Sequence, residues 1–177
     1  MADNITRTDY AKRREGEMTE KENKKSSESI VERFKEIIRD AEGLKLEAYK
    51  PDPTEPYFTI GFGHYGKDVE EGDTITEETA EELLDEDVRV RIDSLKDLLP
   101  DFDTYPDSLK DALFSEHYRG SIEDSPKTRS LINEGKFEEA AVEYLRNTEY
   151  EQAEEKGIPG IRPRMEKVSE ELRKLAD

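Results

Sequence analysis

The chain has 177 residues, 42% charged and only 32% apolar, and 28 Lys+Arg against 46 Asp+Glu give a formal charge of −18. That balance argues against a nucleic-acid-binding surface, which needs a basic face to neutralise phosphates. No run approaches the roughly 18 apolar residues of a membrane span, and the N-terminus lacks the apolar core of a secretory signal. The absence of cysteine excludes disulfides, thiolate metal sites and a cysteine nucleophile, and two histidines are too few for a His-rich cluster; neither metal nor cofactor is expected.

Residues 1–29 contain no Leu, Val or Phe, and their seven basic and seven acidic side chains cancel. This stretch reads as a flexible polar N-terminal extension with a short helix around Tyr10–Arg14, so the whole net charge falls on residues 30–177. Ser29 with Glu32 has capping-box spacing, and Ile30, Val31, Phe34, Ile37, Ile38 and Ala41 form a helical stripe that should stop at Glu42-Gly43. Leu44–Lys50 and Tyr57–His64 read as strands around the turn-rich Pro51-Asp52-Pro53-Thr54-Glu55-Pro56.

Thr76 then has the position of an N-cap before a helix of some two dozen residues, striped by Ala80, Leu83, Leu84, Val88, Ile92, Leu95, Leu98 and Leu99 and ending before Pro100. Further helices are expected at Pro106–His117, Lys127–Asn133, Lys136–Asn147 and Pro163–Leu175. The order describes an α+β protein: a small sheet lobe over about 42–75 and a helical lobe over about 76–177, joined by the long helix.

Three features cluster: Glu42 at a predicted helix end, Asp52 in the turn, and Thr59-Ile60-Gly61-Phe62-Gly63-His64. A glutamate at a helix C-terminus meets the negative end of the helix dipole and nearby apolar side chains. Both favour the protonated carboxyl that a general acid needs. The bland alternative is one solvated carboxylate among 46 acidic residues.

Glu42-Gly43-Leu44-Lys45-Leu46-Glu47-Ala48-Tyr49-Lys50 followed by Thr59-Ile60-Gly61-Phe62-Gly63-His64 closely resembles the phage-type lysozymes, glycoside hydrolase family 24. Thr76, Ala80, Leu83, Leu84, Asp87 and Val88 are similar to the family's interlobe helix, and Gly160-Ile161-Arg162-Pro163-Arg164 is similar to its late arginine-bearing stretch. The resemblance covers residues 30–99 well and 130–172 loosely. It implies a lysozyme-like fold and hydrolysis of the β-1,4 bond between N-acetylmuramic acid and N-acetylglucosamine in peptidoglycan. By the resemblance Glu42 protonates the leaving oxygen, Asp52 assists the water or stabilises the sugar cation, and Thr59 holds the water. Arg164 resembles the arginine that orients the catalytic glutamate, and His64 with Asp87 the pair that ties the sheet lobe to the long helix. Tyr57, His117 and Arg119 are candidate contacts to sugar or peptide stem, with a helix-end histidine as the bland alternative for His117 and core packing for Tyr118.

The turn departs from the family pattern. Nine residues separate Glu42 from Asp52 and six separate Asp52 from Thr59, one more in each gap than the family carries. Asp52 sits between Pro51 and Pro53, a sequence equally suited to a turn in which it bonds only its neighbours; Glu55 is the less favoured substitute. Two rivals to the hydrolase follow: a non-enzymatic virion structural or peptidoglycan-binding module, and a lytic transglycosylase using Glu42 alone. Asn4-Ile5-Thr6, Gly61-x-Gly63 and the Asp85-Glu86-Asp87 and Asp101-Phe102-Asp103 clusters match motifs too incompletely to carry a function. An enzyme this acidic meets an anionic wall with long-range repulsion that salt screens, so it should work best at high ionic strength. Without a signal sequence, a phage enzyme would act from the host cytoplasm through a holin or from the virion, where residues 1–29 are a candidate tether to virion proteins.

Overall fold

The computed structural model describes residue 25 and residues 27–153, 155, 157, 158 and 160–176. Residues 1–24, and with them the short helix expected at Tyr10–Arg14, lie outside the described residues. The first helix, α1, runs through 27–42, so the capping box read at Ser29 and Glu32 does not mark its start. Ser29 already lies inside the helix. Glu28 is anchored by an ion pair to Arg89 at 2.9 Å, while the Glu32 carboxylate takes the Lys35 ammonium at 3.2 Å instead of reaching back to a cap.

Val31, Phe34 and Ile38, one face of α1, are fully or almost fully buried. The Phe34 ring stacks on Phe114 with centroids 4.0 Å apart. Removing such side chains from water supplies about 1.5–3 kcal/mol each. Gly43 follows with φ +68, the left-handed conformation that lets the chain leave a helix, and its N–H returns to the Arg39 carbonyl at 3.3 Å.

The sheet has three antiparallel strands in the order β1 (Lys45–Tyr49), β2 (Phe58–Gly61) and β3 (His64–Gly66). The single strand expected at Tyr57–His64 is therefore two. Gly61 and Gly63 both take positive φ, +66 and +96, and reverse the chain within three residues so that Ile60 faces His64. Residues with a Cβ resist this conformation, which is why the reversal falls on glycines.

Helix α2 (Glu77–Leu98) is the long helix of the prediction, about 33 Å from end to end. Thr76 caps it by accepting the Thr79 N–H at 3.1 Å. Ala80, Leu84, Val88, Ile92 and Leu95 are its buried stripe, and it packs first on β2 and β3, then on the helical lobe. After a short 3-10 turn at Phe102–Thr104 come α3 (Asp107–Tyr118), α4 (Pro126–Asn133), α5 (Phe137–Tyr144), α6 (Thr148–Gln152) and α7 (Ile161–Arg173). The turn and α6 were not foreseen, and the helix expected at Lys136–Asn147 stops at Tyr144, where Asn147 instead caps α6 through the Glu149 N–H at 2.8 Å. Helices α3 and α5 both pack on α7, in a core that includes Phe102, Leu113, Phe114, Tyr144, Met165, Val168 and Leu172. Among the described residues no helix is long and apolar enough to cross a membrane. The architecture is the expected α+β one, a small sheet and a larger helical lobe bridged by α2.

Candidate active site

Glu42 is the last helical residue of α1, at the point where the chain passes from helix to sheet. About a third of its side chain is exposed, and Arg164 Nη1 stands 4.0 Å from Oε1. Arg164 comes from the first turn of α7, across the helical lobe. Its Nη2 donates to both the carbonyl and the hydroxyl of Ser115, each at 2.9 Å, and its Nε lies 3.2 Å from Glu116 Oε1. The expected pairing of Glu42 with Arg164 is thus present as a loose contact, with the guanidinium anchored chiefly on α3.

The other side of Glu42 is the β2–β3 turn. Gly63, at φ +96, packs between Glu42 and Tyr118: a Cβ there would lie in ordinary contact, 3.8 Å from Glu42 Cγ and 3.6 Å from Tyr118 Cε1, so it is the backbone conformation that favours glycine. The Tyr118 O–H donates to the Phe62 carbonyl at 3.2 Å and fastens the turn to α3. Burial, then the negative charges of Asp87 and Glu42, push the Tyr118 phenol well above its ordinary value. Tyr49 is pushed up by burial and then by Glu42 and Glu55. Two phenols thus sense the Glu42 charge, one from each lobe.

His64 sits between two carboxylates. Its Nδ1 lies 3.0 Å from both oxygens of Asp87 and its Nε2 3.0 Å from Asp68. The Asp87 hydrogen bond leads the causes that raise His64 to about 9, against the opposing effect of burial. The expected His64–Asp87 tie between sheet and α2 is in place; Asp68, four residues on, is its unforeseen second half.

Thr59 is almost fully buried on β2, where it faces Tyr65 on β3 and is paired with Tyr49 on β1. Tyr57 lies in the bend just before β2. Tyr57 is exposed and meets exposed Tyr65 edge to face, centroids 5.6 Å apart. Asp52 is exposed, and its Oδ1 accepts from the N–H and the hydroxyl of Thr54 at 2.8 and 2.7 Å. Those two bonds hold its carboxyl below the usual range. Glu55 is half-buried, its N–H bonded to the Asp52 carbonyl and its own carbonyl taking Lys50 Nζ at 2.8 Å.

The remaining candidates sit inside the helical lobe. The His117 ring has no exposed surface, so it offers no face to a sugar; burial, its main influence, lowers it to about 4. A neutral ring gains little from the helix dipole, so the helix-end alternative fits no better. Arg119 is committed to Glu116 at 2.8 Å and Glu149 at 2.6 Å, which leaves 18% of its side chain exposed. Glu116, fully buried, is the functional-region residue that sequence reasoning missed. Its signal was available: it falls seven residues after Leu109 on the apolar stripe of α3, where a carboxylate is out of place.

A family model described as phage lysozyme matches residues 39–167, which contain Glu42, Thr59, His64, Asp87 and Arg164. The chain belongs to the phage lysozyme family. This phage lysozyme domain is 43% identical over 113 residues to an endolysin of Bacillus phage B103, and 40% identical over 113 residues to an endolysin of Bacillus phage PZA. Each match takes in 62% of this chain but only 42% and 43% of those proteins, so the chain spans less than half the length of these relatives. Among solved structures, the muramidase domain of SpmX from Asticaccaulis excentricus is similar with a TM-score of 0.50 and 28% identity, over 64% of this chain and 75% of that one.

Proposed function

We propose that the chain is a peptidoglycan hydrolase that cleaves the β-1,4 bond between N-acetylmuramic acid and N-acetylglucosamine by general acid catalysis. The observation that carries this reading is Glu42: a partly exposed carboxyl at a helix end, between the β2–β3 turn and a guanidinium anchored on the helical lobe. In the proposed reaction Glu42 gives its proton to the glycosidic oxygen as that bond breaks. A water held by Thr59 adds to the anomeric carbon and loses its proton to a second carboxylate. Attack on the face opposite the leaving group inverts the configuration. Arg164 orients Glu42, and the exposed Tyr57 is positioned to pack on a sugar ring.

The second carboxylate is Asp52 by the family pattern, with Glu55 as its competitor. Asp52 is held by Thr54 on an exposed turn, and this one observation favours the second reading, a peptidoglycan-binding module that has lost catalysis. Digestion of purified peptidoglycan, with mass spectrometry of the muropeptides, separates the readings. The hydrolase leaves hydrated reducing ends, a lytic transglycosylase anhydro-muramyl ends, and a binding module no new ends. Glu42→Gln should lower turnover by about 10³-fold; full activity in that variant removes the acid assignment.

The Bacillus phage relatives are endolysins, which supports a phage-encoded enzyme acting on the bacterial wall. Delivery is either from the host cytoplasm or from the virion, with residues 1–29 as the tether in the second case.

A further inference from the structure

Glu116 poses an energetic problem. A carboxylate with no exposed surface has lost its hydration, at a cost of several kcal/mol that ion pairing only partly offsets. Well-packed apolar residues often serve stability as well as a buried ion pair does, so packing α3 against α5 and α7 does not by itself require a charge here. The charge stands beside Arg164, as an ion pair at its Nε, while Ser115 takes the hydrogen bonds of its Nη2. Glu116 Oε1 lies 3.2 Å from Arg164 Nε, while Oε2 accepts from Arg119 Nη2 at 2.8 Å and from the Tyr144 O–H at 2.9 Å. On its far side Arg164 leaves a gap of 4.0 Å to Glu42, too long for a hydrogen bond.

We propose that Glu116 is a positioning residue: it draws Arg164 toward the helical lobe and keeps the guanidinium from closing on Glu42. The inference rests on Glu42 being the general acid. Arg164 then steers the acid at a distance without becoming its tight ion-pair partner, an arrangement that would favour the ionised, inactive carboxylate. Arg119 sets how firmly Glu116 holds Arg164, since the two guanidinium groups share one carboxylate, and Arg119 is itself shared with Glu149 of α6 at 2.6 Å.

The other groups facing this chain of charges are Tyr118, whose phenol senses Glu42 and Asp87 and carries Arg91 5.9 Å over its ring, Tyr49 from the sheet, which senses Glu42 and Glu55, and Ser121, bonded to Tyr144 at 2.9 Å.

The test is the pH dependence of kcat on purified peptidoglycan, whose alkaline limb reports loss of the acid's proton. In Glu116→Gln, Arg164 loses its competing charge and closes on Glu42, so the alkaline limb should move down by about one pH unit. In Arg119→Gln, Glu116 has one cation fewer to share, holds Arg164 harder, and the limb should move up. Opposite shifts from removing two partners of one ion pair are not what a merely structural role produces; that role lowers stability and leaves both limbs where they were. An unmoved limb in either folded variant, or shifts in the same direction, overturns the proposal. Should Glu116→Gln fail to fold, the Arg119→Gln limb decides alone. Glu42→Gln run alongside keeps the two levels apart: full activity there removes the acid reading itself, whereas an inactive Glu42→Gln with unmoved limbs removes only the role of Glu116.

Discussion

The Nδ1 of His64 lies 3.0 Å from both carboxylate oxygens of Asp87, so one imidazole joins the β3 strand to the middle of α2. With Asp68 on the other ring nitrogen, the folded state holds His64 protonated up to about 9, well above its ordinary 6.5. The stabilisation is therefore full below about pH 6.5 and fades as pH rises through about 9. His117 acts on the acid side. Burial holds it neutral down to about 4, so the unfolded chain takes up a proton first and stability declines between about 6.5 and 4. Glu171, held down to about 2 first by its bond to Lys167, adds a loss as pH falls from about 4.5 toward 2. Thermal or denaturant melts across pH 3–10 should show a maximum near pH 6–7. Asp87→Asn should cost about 2 kcal/mol at pH 6 and distinctly less at pH 10; equal losses at both pH values would contradict the assignment.

Asp52 and Glu55 share a turn but not an environment. The Asp52 carboxylate bonds Thr54 on the exposed side, whereas half-buried Glu55 is felt, together with Glu42, by Tyr49. With Asp52 as the second carboxylate, Asp52→Asn should lower turnover by about 10²-fold, and Glu55→Gln by less than about threefold. Muropeptide release by the two variants, measured side by side, decides which carboxyl serves; the reverse order passes the role to Glu55.

Thr59 is nearly enclosed on β2, and in the proposed reaction its hydroxyl holds the attacking water. Thr59→Val should keep the melting temperature within a few degrees and reduce kcat by about 10²-fold. Proton NMR of the fresh product should show the new reducing end in the α configuration. A β product would mean that an enzyme carboxylate, not water, attacks first.

The formal charge of −18 sets the response to salt. Repulsion from an anionic wall reaches about 10 Å at 0.1 M and about 3 Å at 1 M. Turnover on purified peptidoglycan should rise from low salt to several hundred millimolar. A monotonic fall over that range would show that attraction, not repulsion, governs the encounter.

Most of the scaffold could be read from periodicity because each element buries one face. The α2 stripe of Ala80, Leu84, Val88, Ile92 and Leu95 is a single side of a helix, and Thr76 announces its start. The division of Tyr57–His64 into two strands was hidden because Gly61-Phe62-Gly63 reads equally as strand residues or as a reversal; only positive φ at both glycines distinguishes them. The start of α1 differs from the expectation because Ser29 lies inside the helix and Glu32 pairs with Lys35 instead of reaching back to a cap. At the candidate site, the closeness of Glu42 to Arg164 and of His64 to Asp87 was legible from the family resemblance. Ser115 and Glu116 were not, since each meets Arg164 only through the tertiary fold, and Asp68, though local to His64, carries no motif that marks it. His117 and Arg119 were cleft candidates because their segment corresponds to one near the cleft in the family they resemble. Here Glu149 of α6 takes Arg119 at 2.6 Å, and His117 is buried with Arg91, Glu123 and Arg129 as its charged neighbours.

The bond from Tyr118 to the Phe62 carbonyl gives the two lobes a second tie that does not pass through α2. Tyr118→Phe, with no hydroxyl to donate, would leave the loop beside Glu42 fastened to the helical lobe by packing alone.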